Sequence, residues 1–359
     1  MKQRARIAVV GAGKIGLVHM AQAMKEGELA GVVDPSPETR DAAATLEAPW
    51  FSSLGEMLSE MRPDGVVVAT PNRLHVPQAL ECVAAGVPVL VEKPLADTPA
   101  AARDLVRAAR EARVPLLVGH HRRYNPLIAA ARAQIKAGAI GRLVAVSAQC
   151  WFRKPDSYFD IPWRTQPGAG PMLTNLIHDI DLMRHLCGDV AAVQAQQASI
   201  ARGHAVEDTA AVILRFRSGA LATMTVSDAV VAPWSWELTA GENPEYPRIS
   251  AACYTIGGTT GSLSLPDLGL WHYEGEADWG QPISRKALTC QGGDPLGLQM
   301  RHFCQVALGR ADPLVPGEEG LATLEVLDAI RQAAESGRQV SLLSIGSDPD
   351  LPHSEARAS

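Results

Sequence analysis

The chain has 359 residues, of which 47% are hydrophobic and 20% are charged, so it is long and apolar enough for two domains of ordinary size. A net charge of −6 without a basic stripe argues against nucleic acid and anionic membranes as partners. No signal peptide and no apolar run of membrane-spanning length is visible. The six cysteines form no CxxC pair, which is typical of reduced thiols in a cytoplasmic protein and disfavours zinc.

The first third of the sequence alternates apolar runs with helical patterns. Two predicted helices end at Gly27 and Gly86, and another begins at the pair Thr98-Pro99. The order of elements predicts an α/β region, a doubly wound parallel sheet of about six strands that occupies residues 1–121. The apolar runs that predict its strands lie at 5–10, 29–33, 65–69, 88–91 and 116–118.

A glycine-rich turn separates the first strand from the first helix, and Asp34 ends the second strand. Gly11 permits a tight turn, Gly13 lets the backbone approach a pyrophosphate at the helix N-terminus, and Gly16 lets the helix pack close to the strand. An acid after the second strand binds ribose hydroxyls and repels a 2′-phosphate, which favours NAD over NADP. An ordinary glycine turn is the alternative. The predicted cofactor contacts here are Gly11, Gly13, Lys14, Ile15, Gly16, Asp34 and Pro35.

Ligands of doubly wound sheets bind at the carboxyl ends of the strands, and polar segments follow three strands here. Lys93 comes directly after the buried run 89–91, so its ammonium can face a nicotinamide. A surface lysine paired with Glu92 is the alternative. One histidine of the pair His120-His121 is expected to line the same edge. Further predicted cofactor contacts are Thr70, Pro71, Asn72, His75, Glu92 and Lys93.

The pattern changes after residue 121 and predicts an α+β domain over 122–343 with a mostly antiparallel open sheet. A Pro/Gly/Trp-rich loop at 153–171 stands between its first strand and a central helix. Residues 344–359 are predicted to be a flexible tail. Strands are predicted at 143–152, 190–200, 209–216, 220–227 and 235–240, and helices at 126–137, 175–186, 296–308 and 318–335.

The central helix places His178, Asp181 and His185 on one face, because they are spaced i, i+3 and i+7. A histidine on a helix face beside a glycine-rich loop can act as a general base. A buried histidine bonded to Asp181 is an equal alternative. No metal site is predicted, because these three residues would need donors from elsewhere and NAD chemistry needs no metal.

Taken in order, these motifs resemble the Gfo/Idh/MocA oxidoreductases, a family that includes inositol and glucose–fructose dehydrogenases. The resemblance implies an NAD-dependent dehydrogenase that oxidises a secondary alcohol of a sugar, sugar acid or cyclitol. The matching motifs are Gly11–Gly16, Thr70-Pro71-Asn72-x-x-His75, Glu92-Lys93-Pro94-Leu95, Gly119-x-x-Arg122-Arg123-Tyr124-Asn125-Pro126, Trp163-Arg164, Gly168-x-Gly170, His178-x-x-Asp181 and Gly317-Glu318-Glu319-Gly320.

The resemblance also implies roles for single residues. Neutral His178 would take the hydroxyl proton, and Lys93 would hold that hydroxyl and stabilise the developing alkoxide. A packing pair is the alternative for Trp163 and Arg164. The substrate contacts implied are His121, Arg122, Tyr124, Trp163, Arg164, Thr174, Asn175 and Asp181.

The sequence departs from the family pattern at Thr174, where many relatives carry an Asp four residues before the histidine. Threonine supplies no negative charge to support an imidazolium, so Asp179 or Asp181 would have to substitute. The alternatives to a sugar or cyclitol dehydrogenase are an NAD-dependent glycosidase, a cyclic-diol dehydrogenase and a non-catalytic sensor of dinucleotide or sugar. The resemblance further suggests a homodimer or homotetramer built on the open sheet face.

Overall fold

The computed structural model describes residues 3–342, and the tail predicted at 344–359 lies outside them. The first part of the chain forms a six-stranded sheet with helices between its strands, as the alternating pattern predicts. Its elements are β1 (Arg6–Val10), α1 (Lys14–Glu26), β2 (Glu28–Val33), α2 (Thr39–Thr45), β3 (Trp50–Phe51), α3 (Leu54–Glu60), β4 (Gly65–Val68), α4 (His75–Ala84), β5 (Val89–Val91), α5 (Pro99–Ala112) and β6 (Leu116–Val118).

All strands of this first sheet are parallel and follow the order β3-β2-β1-β4-β5-β6. The valine-rich strands are buried because helices cover both faces. The strand order reverses between β1 and β4, so the loops after these two strands diverge and leave a crevice at the carboxyl edge. This crevice is where the glycine-rich turn and the segment after β4 meet.

The second sheet has nine strands in the order β14-β13-β12-β11-β7-β10-β9-β8-β15. Only β7 and β10 pair in parallel; the other described pairs are antiparallel. The elements of this half are α6 (Pro126–Lys136), β7 (Leu143–Trp151), α7 (Pro171–Thr174), α8 (Leu176–Cys187), β8 (Val190–Ala198), β9 (Thr209–Phe216), β10 (Leu221–Ser227), α9 (Trp236–Thr239), β11 (Tyr254–Gly258), β12 (Gly261–Leu265), β13 (Gly269–His272), β14 (Ser284–Ala287), α10 (Pro295–Ala307), α11 (Gly317–Ser336) and β15 (Val340–Ser341).

The strand predicted at 235–240 is wrong: this segment forms the short helix α9. The Ser235 side chain accepts a hydrogen bond from the backbone N–H of Leu238 and so starts a helix rather than a strand. Trp236 is fully buried and stacks on Tyr254 of β11, which explains why the segment looked like a buried strand. The sequence pattern also did not predict β3 or the four short strands β11–β14.

Besides the chain connection after β6, the two halves of the molecule are joined by the packing of α10 and α11 on the parallel sheet. Phe303 of α10 packs against Gly65 at the start of β4, where a Cβ would lie 2.8 Å from the phenyl ring. Gly317 and Gly320 of α11 pack equally closely on leucine and valine side chains of β6. Late helices therefore complete the covering of the parallel sheet.

One face of the second sheet packs on α8 and α11, while the opposite face is open. On the open face, Ile213 of β9 and Leu221 of β10 are about half exposed, and Trp271 of β13 is 38% exposed. Within residues 3–342, no helix is long and apolar enough to cross a membrane.

Candidate active site at the carboxyl edge of the parallel sheet

The glycine-rich turn has the geometry that a dinucleotide pyrophosphate requires. Gly11 has φ +95°, and a Cβ on Gly16 would lie 1.9 Å from the Gly11 carbonyl oxygen, so both positions need glycine. Beside Gly13 there is open space at the N-terminus of α1. Backbone N–H groups there can bind an anion without interference from a side chain. The turn therefore fits NAD, which is bound in this way by Rossmann folds.

Asp34 lies just beyond the end of β2, where a ribose would sit. Its carboxylate accepts hydrogen bonds from the backbone N–H groups of Ala12 (2.8 Å) and Ser36 (2.9 Å), one on each oxygen. Each oxygen keeps a further lone pair for a ribose hydroxyl. Ser36 also donates to Glu38, which adds a second carboxylate near this position. Asp34 and Glu38 would repel the 2′-phosphate of NADP, in agreement with the preference for NAD that the sequence predicts.

His75 was predicted to contact the cofactor, but the structure gives it a supporting position. The side chain is buried, and its ring nitrogens lie 2.8 Å from the carbonyl oxygens of Thr70 and Pro94. It thus ties the loop after β4 to the loop after β5. Pro71 and Asn72, on the same edge, are exposed.

Glu92 is likewise a buried support rather than a surface partner of Lys93. Its carboxylate lies 2.8 Å from Nε2 of His19 in α1 and accepts the backbone N–H of Lys93. Burial alone would raise the pKa of Glu92, but the contact with His19 and the neighbouring charges lower it to about 2. Gly119 is required beside it, because a Cβ there would lie 2.9 Å from the carboxylate.

Lys93 is partly exposed at the mouth of β5, as its position after a buried strand predicts. Its ammonium forms no ion pair within 4 Å among residues 3–342. Burial lowers the pKa of Lys93, while the charge of Glu92 acts in the opposite direction. A cation that is not neutralised by direct contact can act on a ligand.

His178 lies in the first turn of α8, buried and edge-on to the ring of His121 at a centroid distance of 5.5 Å. Burial and the charges of Lys93 and Arg122 hold its pKa well below the usual histidine value of 6.5. The imidazole is therefore neutral at neutral pH, the state in which it can accept a proton. The charge of Lys93 thus acts on His178, although the two residues are distant in sequence.

Arg122 is the centre of a buried cluster with two acids, Asp179 and Glu237, of which the sequence analysis missed Glu237. It donates to Glu237 of α9 at 2.7 Å, and Asp179 lies 3.9 Å from its second terminal nitrogen. Tyr254 of β11 donates to Asp179. Burial raises the pKa of Asp179 to about 6, against the effect of Arg122. The members come from separate elements, so no local motif marks them.

Glu242 is the second acid that sequence reasoning missed. It accepts hydrogen bonds from Asn125 (3.0 Å) and Trp236 (2.5 Å) and lies 2.7 Å from Nε2 of His121. Burial would raise the pKa of Glu242, but these partners lower it to about 2. The available signal was the acid-rich run around residues 237–245, which the wrong strand prediction obscured.

Asp181 does not lie free for a substrate, which corrects its predicted role. Both of its carboxylate oxygens accept from the guanidinium of Arg123, at 2.6–3.0 Å, and Thr323 of α11 also donates to it. Arg123 reaches Glu319 as well, at 2.8 Å. This buried network fixes α8 against α11 and so supports His178 indirectly.

Three further residues predicted to contact the substrate, Tyr124, Trp163 and Arg164, contact other side chains of the protein. The Tyr124 hydroxyl lies 3.0 Å from Nδ1 of His302 in α10. The Arg164 guanidinium stacks on Tyr158 at 4.1 Å and lies 5.6 Å from the ring of Trp163. The packing alternative for Trp163 and Arg164 therefore fits the geometry. Trp163 is nevertheless 57% exposed, so its ring can still meet a ligand.

Thr174 lies at the end of α7, and its hydroxyl accepts a hydrogen bond from Nζ of Lys154 at 3.1 Å. The same hydroxyl donates to the carbonyl of Gly170 at 2.9 Å and lies 3.1 Å from Oδ1 of Asn175. Lys154 is buried, and the sequence analysis did not single it out. Cationic and hydroxyl groups thus replace the carboxylate expected from the family pattern.

Several buried polar atoms in this region have no hydrogen-bond partner in the protein, which is unusual in a folded protein. They belong to His178, to the Arg122 cluster and to His120, and they include hydrogen-bond donors as well as acceptors. Such a set suits a ligand rich in hydroxyl groups, since each hydroxyl both donates and accepts. The atoms are Nδ1 of His120 and His178, Nε and Nη1 of Arg122, Oδ2 of Asp179 and Oε2 of Glu237. Within residues 3–342, no group of three His, Cys, Asp or Glu side chains could hold a metal ion.

Two family models match the chain. Residues 5–120 match the model of the Gfo/Idh/MocA oxidoreductase family with an NAD-binding Rossmann fold. Residues 128–264 match the Gfo/Idh/MocA C-terminal domain.

Curated relatives include 1,5-anhydro-D-fructose reductase of Ensifer adhaerens, 28% identical over 94% of this chain and 98% of the relative. The rhizopine catabolism protein MocA of Rhizobium meliloti is 34% identical over 52% of this chain and 58% of the relative. Inositol 2-dehydrogenase of Rubrobacter xylanophilus is 33% identical over 51% of this chain and 52% of the relative. The matched segment thus spans little more than half of the last two relatives.

Among solved structures, the WlbA dehydrogenase of Bordetella pertussis, in complex with NADH and UDP-GlcNAcA, superposes with a TM-score of 0.76. It is 29% identical, and the match covers 95% of this chain and 99% of that one. An oxidoreductase of Agrobacterium radiobacter reaches a TM-score of 0.81 at 20% identity, over 96% and 100% of the two chains, which shows the shared fold.

Proposed function

Since the chain belongs to the Gfo/Idh/MocA family of oxidoreductases, whose Rossmann fold binds NAD, we propose that it is an NAD-dependent dehydrogenase for a secondary alcohol of a sugar, sugar acid or cyclitol. The observation that carries this proposal is the buried His178, edge-on to His121 at 5.5 Å, whose pKa is lowered by burial and by the charge of Lys93 at the end of β5. Nδ1 of His178 and several polar atoms of the Arg122 cluster are buried and have no hydrogen-bond partner in the protein.

The proposed chemistry divides between these two residues. When bound, NAD supplies the acceptor for the hydride that leaves the substrate carbon. His178 takes the hydroxyl proton, for which its lowered pKa keeps it ready at neutral pH. Lys93 donates a hydrogen bond to the same oxygen and stabilises the negative charge that develops there. In the reducing direction both residues act in reverse.

The remaining substrate contacts are proposed from what lies nearest to this pair. His121 and Arg122 would bind substrate hydroxyls from one side, oriented by Glu242 and Glu237. Thr174 and Asn175 would bind from the other side, at the start of α8. Trp163 would cover the substrate from the 153–171 loop. Asp181, His75 and Glu92 would act by holding these groups in place.

We extend the proposal to organisation and location. Residues 1–121 would form the dinucleotide-binding domain and residues 122–343 the substrate domain. A second copy of the chain would cover the open sheet face around Ile213 and Leu221, giving a homodimer or homotetramer. The reduced thiols of six cysteines suit a cytoplasmic location.

The test is a spectrophotometric screen at 340 nm with NAD and NADP against inositols, aldoses, aldonic and uronic acids, anhydrosugars and cyclic diols. We expect NADH to form with one chemical group of substrates and NADP to react less well. Tight binding of NAD without any NADH formation would contradict the dehydrogenase. Glycoside cleavage under those conditions would indicate the hydrolase alternative, and its absence would indicate a sensor.

A further inference from the structure

A cavity of about 320 Å³ lies between the two halves of the molecule. Its walls are the start of α5, the segment 167–173, the loop between β8 and β9, and one side of α11. None of the residues proposed to bind the cofactor or the substrate lines this cavity. Cavities of this volume at the meeting of two domains are common binding sites for small molecules.

The floor of this cavity is apolar. Met172, Val206, Leu324 and Leu327 line it, and each of these side chains is only 5–8% exposed. On one wall the backbone is bare, because Gly168 has φ +89° and open space lies where a Cβ would be. The floor can therefore bind the hydrocarbon part of a ligand, which gains free energy by leaving water.

The rim of the cavity is acidic. Four carboxylates line it, those of Asp97, Glu207, Asp328 and Glu335, against the single guanidinium of Arg331. Arg331 is already bound to Asp328 and Glu335, at 2.8 Å from each. Asp97 and Glu207 form no ion pair within 4 Å among residues 3–342. The lining therefore carries an excess of negative charge that its own cation does not neutralise.

Glu207 is partly buried, and its carboxylate is held in one orientation. Oε1 accepts the backbone N–H of Met172 at 3.0 Å, and a Cβ on Gly170 would collide with the carboxylate. Oε2 forms no hydrogen bond with another residue in the described part of the chain, so it can accept one from a ligand. Burial raises the pKa of Glu207, while the Met172 N–H and the charge of Lys154 act in the opposite direction.

We propose that this cavity binds a small organic amine, with its ammonium on Glu207 and its apolar part on the floor. The ammonium is favoured because it neutralises the acidic rim, which would repel an anion. Its three N–H donors can bind Oε2 of Glu207 and a second rim carboxylate together. The site is separate from the proposed dehydrogenase reaction and does not depend on it.

Isothermal titration calorimetry tests the site with three probes. Cyclohexylmethylamine has the charge and the apolar body, cyclohexylmethanol has the body alone, and methylamine has the charge without the body. We expect cyclohexylmethylamine to bind the wild-type protein at least about tenfold more tightly than either other probe. Saturating NADH should leave this affinity unchanged, since no proposed cofactor contact lines the cavity.

Three outcomes with the wild-type protein would overturn the inference. The first is the absence of binding by cyclohexylmethylamine at millimolar concentration. The second is equal affinity for this amine and the alcohol, which would show that the acidic rim does not select a cation. The third is competition between the amine and NADH, which would place the amine in the cofactor crevice.

Variants locate the ammonium. Glu207→Gln keeps an acceptor for the Met172 N–H without the charge, so cyclohexylmethylamine should bind at least about tenfold more weakly and the alcohol as before. Leu327→Trp fills the cavity and should weaken binding of both probes. Glu111→Gln, which changes an exposed acid at the far end of α5, is the matched control. Thermal unfolding shows which variants are folded. Wild-type affinity for the amine in folded Glu207→Gln, or an equal loss in Glu111→Gln, would contradict the proposed site.

Discussion

The two sides of the site are built in different ways. On the cofactor side, the ligand-binding groups lie within short stretches of sequence: the Gly11–Gly16 turn offers backbone groups, and Asp34 follows one strand later. On the substrate side, Arg122, Glu237 and Tyr254 come from separate elements and meet only after folding. Backbone recognition can be encoded in a local motif, whereas a side-chain network needs the tertiary structure.

The two sides also differ in buried charge. Asp34 is partly exposed and bonded by two N–H groups, so its substitution leaves no charge uncompensated. The substrate side contains ionised groups in the interior, and several of their pKa values are displaced strongly by burial and by one another. Changes on the cofactor side should therefore alter binding modestly, and changes on the substrate side should alter catalysis or stability severely.

The largest effect is expected for Lys93→Met. Turnover should fall about 10³-fold, because the variant lacks the cation that we propose stabilises the developing alkoxide. Binding of NADH, measured by its fluorescence, should change little. Lys25→Met, which removes an exposed charge at the end of α1, provides the control. Retained turnover in Lys93→Met would show that this residue has no part in the mechanism. Loss of NADH binding would show that Lys93 also contributes to the cofactor side.

Arg123→Met should destabilise the protein by about 3–5 kcal/mol, since it leaves Asp181 buried without its cation. Chemical denaturation measures this loss. The control is Arg331→Met on α11, which removes an exposed ion pair with Asp328. This variant should lower the free energy of unfolding by less than about 1 kcal/mol. A comparable small loss for Arg123→Met would show that the buried network is dispensable.

The pH profile should locate His178. Because its pKa lies below the usual value of 6.5, the rate of alcohol oxidation should decline only as the pH falls below that value. His178→Gln should lower the rate about 100-fold and remove this acid limb. The test is the rate of alcohol oxidation by the wild-type protein and the variant, measured over pH 4 to 9. An acid limb that persists in His178→Gln would assign the base to another group.

The smallest effect is expected for Asp34→Ser. The dissociation constant for NAD should rise about tenfold and that for NADP less, because the lost carboxylate is the group that we propose binds ribose hydroxyls and repels a 2′-phosphate. Asp41→Asn, an exposed acid on α2, is the control. Calorimetric titration with both cofactors gives the ratio. Equal losses for NAD and NADP would show that Asp34 does not select between them.

Most of the parallel sheet could be predicted because its signals are local. Continuous valine runs, helix caps such as Thr98, and glycine at fixed offsets each depend on neighbouring residues only. The late strands β11–β14 escaped prediction because they are only four or five residues long, and three of them begin or end with glycine. The prediction for segment 235–240 was wrong because a buried Trp236 is also typical of a strand. The Ser235 side chain caps a helix at this position.

By itself, the sequence determined the doubly wound fold, the dinucleotide turn and the positions of Lys93 and His178 at element ends, since periodicity and motif spacing encode these features. The tertiary structure alone decided that Asp181 is bound to Arg123, that Glu242 reaches His121, and that Lys154 lies against Thr174. The physical reason is distance along the chain. Burial and charge compensation are properties of side chains that packing brings together, and no stretch of sequence contains both partners.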